Sequence, residues 1–168
     1  TYLAKEYGFQ KLRFHSSNSA SLFRHSDFDE DMARVGIAAY GCMQLPDALS
    51  VDGLKPVLSL YASKISSREL KAGNRVGYSG NYEATKSCLV SNYNFGYSDG
   101  FLRSCAGGYK TPDGTELIGR VSMDNSSFLS QKDELLIFDD ASKVASYADT
   151  ISYEVLTSLK ADIKRDLN

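Results

Sequence analysis

"VLSLYASKI" (57–65) carries apolar Leu58, Leu60 and Ala62 at every second position, with Ser59, Tyr61 and Ser63 between them. A repeat of two fits a half-buried strand and not a helix, whose apolar face recurs every three to four residues. The same texture returns in "NRVGYSG" (74–80), "SCLVSNYNFGY" (87–97), "TELIGRVSM" (115–123) and "DELLIFDD" (133–140). Turn signals separate these stretches: "KAGN", "SDG", "PDGT" and "QKDE". Short strands at this spacing predict a small antiparallel barrel or sandwich. Helix returns in "SKVASYADTISYEVLTSLKADIKRD" (142–166), with Asp149 or Thr150 as the cap before "ISYEVL".

Upstream the pattern differs. "YLAKEYGF" reads as a helix end, "KLRFH" as a short strand and "NSASLFRH" as a second helix capped by Asn18 or Ser19. "RVGIAAYG" (34–41) is a continuous apolar run closed by glycine, as in a strand buried on both faces. Helix and strand alternating in this order belong to a parallel α/β layout. The change of texture falls near residues 46–56, and we place the boundary between 48 and 49. Two strands and two helices cannot close a sheet, and no methionine leads the chain. Residues 1–48 are therefore expected to be the end of a larger α/β body, and 49–168 a β-domain.

A net charge of −2 and a pI near 5.7 give no electrostatic case for a nucleic-acid or anionic-membrane partner. No apolar run approaches the roughly 20 residues of a membrane span, and "TYLAKEYGFQ" is no signal peptide. Cys42, Cys88 and Cys105 are odd in number and far apart, which fits a reducing cytoplasm better than a disulfide framework or a metal cage. "GNYEATKS" (80–87) nearly spells a phosphate-binding loop, but Thr85 stands where the second glycine is needed. Tyr78 is the odder feature. It sits in "RVGYSGNYEA" between Gly77 and Gly80, on backbone too bare for a tyrosine recruited to pack.

Taken in order, "HSSNSA", "RVGIAAYG", "LKPVLSL", "VGYSGNY", "FGYSDGFLR", "GRVSMDN" and "DTISYE" resemble bacterial alanine racemase, a pyridoxal-phosphate enzyme with a TIM barrel followed by a β-domain. The resemblance covers nearly the whole chain and is weakest at "CMQLPDALSVDG" and after Leu156. It implies the C-terminal portion of a barrel of about 250 residues, without the motif whose lysine binds the cofactor as a Schiff base. It also implies a cytoplasmic homodimer with active sites shared between subunits, acting on a small amino acid to supply D-alanine for peptidoglycan.

The residue roles follow from the resemblance alone. Tyr78 matches the acid–base tyrosine delivered by the partner subunit, opposite the lysine, and racemisation needs one such group on each face of Cα. Asn18, Ser19, Gly36 and Ile37 match positions holding the cofactor phosphate, and Tyr153 a hydroxyl that also reaches it. Arg34 matches the arginine facing the pyridine nitrogen, where a group that keeps its proton leaves the ring nitrogen unprotonated. Met123 matches a backbone N–H that meets the substrate carboxylate. Tyr97, Arg103, Arg120, Asp124 and Ile151 match the lining of the substrate corridor. Val35 stands where the family usually has proline, and "LKADIKRDLN" departs from its usual ending. A racemase for serine or a broader set of amino acids, and a β-domain serving only binding or assembly, are the alternatives.

Overall fold

The computed structural model describes residues 2–24, 27–43 and 53–167. It divides into two compact units, Thr1–Lys55 and Pro56–Asn168. The boundary expected between residues 48 and 49 lies outside the described residues.

The second unit is built on an antiparallel sheet. Its strands are β1 (Leu60–Leu70), β4 (Cys88–Tyr93), β5 (Leu117–Ile118), β6 (Ser126–Phe128) and β7 (Glu134–Phe138), in the order β5-β6-β4-β1-β7. The two edge strands differ, so the sheet is a curled half-barrel and not a barrel closed by pairing. β1 serves two neighbours. Its first half pairs with β7 from Leu60 to Ser63, and its second half with β4 from Lys64 to Leu70. The register slips in both ladders, between Leu60 and Tyr61 and between Lys64 and Ser66, and such irregularities bend a strand. Lys64 fastens the crossover: its backbone N–H donates to Asp133 O at 2.8 Å and its ammonium lies 2.5 Å from the Asp133 carboxylate.

Two of the expected strands are much shorter than their alternation suggests. "NRVGYSG" supplies only β2 (Arg75–Val76), which pairs with β3 (Tyr82–Glu83), and then turns into a 3-10 helix over Tyr78–Gly80. "TELIGRVSM" supplies only β5 before Gly119 takes a left-handed turn. Helices α3 (Ala141–Ala148) and α4 (Ser152–Ser158) follow the sheet. Neither expected cap residue starts α4. Asp149 ends α3 in a left-handed conformation, while extended Ile151 precedes α4. Asp140 caps α3, accepting from Ser142 N at 2.8 Å.

The core is a row of rings. Phe128 meets Tyr93 edge-on at 5.7 Å and lies parallel to Phe101 at 6.4 Å. Phe101 stacks on Phe95 at 5.2 Å and meets Tyr109 edge-on at 5.7 Å. Buried hydroxyls in this row are paired: Tyr93 donates to Lys132 O and Tyr109 to Ile137 O. A second cluster packs Leu70, Val76, Ala84, Val90 and Ile118 under the β2–β3 hairpin.

In the first unit α1 (Tyr2–Glu6) and α2 (Ser19–Arg24) form where expected, and Asn18 caps α2 by accepting from Ser21 N at 2.9 Å. The two expected strands do not form. In "KLRFH", Phe14 bonds to the Asp31 backbone and carboxylate, with no ladder. In "RVGIAAYG" a single bridge joins Arg34 to Asn18, and Ile37–Tyr40 winds into a 3-10 helix. The physical reason is where the N–H groups go. Those of Gly36 and Ala38 both turn to Ser19 Oγ, at 2.9 and 3.4 Å, and those of Ala39 and Gly41 bond three residues back.

Phe128 is fully buried. Phe128→Ala should cost about 3–5 kcal/mol of unfolding free energy in a urea titration. Burial also pushes the Cys105 thiol up to about 12 and raises the Tyr109 phenol. An acid whose folded pKa is raised stabilises the fold while it keeps its proton, and that stability drains as pH climbs toward the folded value. The urea midpoint should therefore fall between about pH 9 and 12, and Cys105→Ala should flatten that fall.

Candidate functional site

In the second unit, backbone contacts organise the residues singled out in the sequence. Tyr78 is 67% exposed, at the start of its 3-10 turn. The bareness of its flanks has a use inside the chain. A Cβ on Gly77 would stand 3.0 Å from Arg120 N and 3.2 Å from Gly119 Cα, and Gly77 has φ +81°. The Tyr78 loop thus rests directly on the Gly119–Arg120 backbone, leaving the phenol in solvent. Across the hairpin, Arg75 pairs with Glu83 at 2.8 Å.

Tyr97, Met123, Asp124 and Arg103 are brought together. Tyr97 N donates to Ser122 O and Ser98 N to Met123 O, both at 2.9 Å. Ser98 Oγ reaches Asp124 Oδ1 at 3.1 Å, and the Arg103 guanidinium lies 5.6 Å from the Tyr97 ring centroid, within cation–π range. Gly96 makes this pairing possible, because a Cβ there would stand 2.2 Å from Met123 O and 2.6 Å from Asn125 N. Met123 is exposed. Arg103 and Arg120 line one cavity of about 610 Å³ with Asn81, Tyr82 and Glu116. Burial, then Cys88 and Glu116, push the Tyr82 phenol up. Ile151 and Tyr153 are half-exposed at the start of α4. Among the described residues, no hydrogen bond or ring contact ties them to the Tyr97 group.

In the first unit Ser19 is buried, and its Oγ accepts from Gly36 N and Ala38 N. Among the described residues, no acceptor takes its own proton. Among the described residues, no acceptor meets Ile37 N–H. Arg34 N donates to Ser17 O at 2.9 Å and Arg34 Nη2 to Ser16 O at 3.2 Å. Asn18, Ser19, Arg34, Gly36 and Ile37 thus form one cluster. Hydroxyl and amide donors gathered at one place suit a phosphate group.

Sequence reasoning missed Gly96, Ser98 and Glu30. Gly96 carries no signal in a single sequence beyond being a glycine before a turn. Glu30 lies in the acidic run "DFDED" (27–31), where nothing in the sequence sets it apart from its neighbours.

Comparison with known proteins agrees with this architecture. Residues 57–167 match the family model for the alanine racemase C-terminal domain. Alanine racemase of a Nitratiruptor species is 45% identical over 97% of this chain and 48% of its own length. That of Campylobacter curvus is 43% identical over the same shares. The crystal structure of alanine racemase from Bartonella henselae with covalently bound pyridoxal phosphate superimposes with a TM-score of 0.79, at 28% identity, over 98% of this chain and 49% of that one. The chain belongs to the alanine racemase family. It spans about half the length of the curated relatives it matches.

Gly96→Ala should drive the Met123–Asn125 backbone away from Tyr97. Amide resonances of Tyr97, Ser98 and Met123 should move together, while those of β1 and β7 stay in place.

Proposed function

We propose that this chain is the C-terminal portion of an alanine racemase: the last α/β units of a TIM barrel, then the β-domain. In this reading the enzyme is a cytoplasmic homodimer that interconverts L- and D-alanine, its product serving cell-wall peptidoglycan. The observation that carries it is Tyr78. Its phenol is exposed on a loop whose backbone is fixed from behind by Gly119 and Arg120, inside a domain that matches the family. A base that must enter a partner's site needs a free hydroxyl and a firm mount.

The donor cluster around Ser19 fits a phosphate. The Ser19 hydroxyl proton and the Ile37 N–H would meet that group, with Asn18 Nδ2 as a further donor, while Gly36 N–H, already given to Ser19 Oγ, would orient that hydroxyl. Arg34 would face the pyridine nitrogen and keep it unprotonated. Bound pyridoxal phosphate would supply the sink for the electrons left when the substrate Cα loses its proton. Tyr78 would take or return that proton on one face, and the lysine of the preceding barrel would serve the other. Met123 N–H would meet the substrate carboxylate. Arg103 and Arg120 would make the approach cationic, and Tyr97, Asp124 and Ile151 would narrow it.

A mixed dimer tests the reading. Two full-length variants are combined, one without the cofactor lysine and one carrying Tyr78→Phe, each expected to be about 10²–10⁴-fold impaired alone. If Tyr78 acts across the interface, a mixed dimer has one site with both lesions and one with neither. Random mixing then returns roughly a quarter of wild-type activity. No rescue would place the tyrosine within its own chain's site, and an active Tyr78→Phe would make it a spectator.

A further inference from the structure

Glu30 occupies a position that its acidic neighbours do not. Its carboxylate accepts from Ser16 N at 2.7 Å, from Ser17 N at 3.1 Å, from Ser17 Oγ at 3.2 Å and from Ser16 Oγ at short range. Four donors from two consecutive residues surround one carboxylate, fixing both the peptide plane and the side chains of that dipeptide. Those hydrogen bonds, led by the Ser16 hydroxyl, hold the Glu30 carboxyl at about 2, so it is charged at any working pH.

The Ser16–Ser17 pair is where Arg34 is seated. Ser16 O accepts from the Arg34 guanidinium and Ser17 O from the Arg34 backbone N–H. The next two residues are Asn18, which caps α2 and bridges to Arg34, and Ser19, which receives the amides of Gly36 and Ala38. Arg34 is thus attached directly to a dipeptide whose orientation Glu30 sets, and Asn18 and Ser19 follow it in the chain. Among the described residues, the four groups that bond to the Glu30 carboxylate all belong to Ser16 and Ser17, so its influence on Arg34 passes through their two carbonyls.

We propose that Glu30 is a positioning residue for the cofactor cradle, orienting the Arg34 guanidinium and the Asn18–Ser19 turn through Ser16 and Ser17. This rests on the reading of that cluster as a pyridoxal-phosphate cradle.

The test uses the full-length enzyme stripped of cofactor and titrated with pyridoxal phosphate, followed by absorbance, beside thermal melts of the cofactor-free form. Glu30→Gln keeps the shape but removes the charge and one acceptor. It should weaken cofactor binding about tenfold, since hydrogen bonds to a charged group are the stronger kind, and shift the bound cofactor's absorption band. The melting temperature of the cofactor-free form should stay within about 2 °C. Glu30→Asp, which keeps the charge, should recover part of the affinity. Unchanged affinity and spectrum in Glu30→Gln would overturn the proposal, as would a loss of affinity matched by an equal loss of stability without cofactor. Should Glu30→Gln fail to fold, Ser16→Ala removes one hydroxyl donor, and an affinity unchanged in it overturns the proposal equally. Arg34→Lys is the control for the underlying reading. If it leaves affinity and spectrum untouched, the cluster is no cradle and both ideas fall; if it alters them while Glu30→Gln does not, only the role of Glu30 falls.

Discussion

The row of rings from Tyr93 through Phe128 and Phe101 to Tyr109 is the constraint on which the β unit depends. Its members come from β4, from β6 and from the connection between β4 and β5, so no single element can bury it alone. Short strands such as β5 and β6 gain little from their own ladders. They are held because Leu117 and Phe128, opposite each other, are both buried. Edge-on contacts add about 0.5–1.5 kcal/mol for a pair beyond the burial itself. The larger effect is geometric. Phe95 and Phe101, anchored in the core, flank the segment that carries Gly96 and Tyr97, so the same burial that closes the fold sets the pitch of the candidate substrate wall.

That wall is then built from backbone. Gly96 touches Met123, Gly77 touches Arg120, and Gly100 touches the end of α4, where a Cβ would stand 2.4 Å from Ser158 O. Polar side chains are laid over these contacts and tie them sideways, as Ser158 Oγ does to Gly100 O at 3.0 Å. Exposed side chains such as Tyr78 and Met123 therefore stand on mounts that are themselves tightly fitted. Exposure here describes the side chain and not the freedom of its support.

Much of this was legible in the sequence. Alternation found β1, β4 and β7, in each of which buried side chains recur at every second position over part of the strand. It failed in "NRVGYSG" and "TELIGRVSM", where glycines at positive φ end the strand before the alternation stops. It failed differently in "RVGIAAYG". A run of apolar residues suits a buried strand and a short buried helix equally well, and periodicity cannot choose between them. Ser19, distant in sequence, decides by taking the amides of Gly36 and Ala38. The candidate site residues were named by resemblance, not by periodicity or spacing. Glu30 escaped because its meaning lies in four hydrogen bonds to residues 13 and 14 positions earlier.

The double pairing of β1 sets the order in which the β unit is made. Of the strands in this sheet it leaves the ribosome first, and β4 follows after a short hairpin. Its other edge then waits for Glu134–Phe138, about seventy residues later. Until those residues emerge, the first half of β1 presents open backbone groups and exposed Tyr61. Long-range closure of this kind is slow relative to local pairing. A nascent chain halted between β6 and β7 would carry a sheet lacking one strand, with the first half of β1 left without its partner, the form in which a partly made domain most readily finds the wrong neighbour.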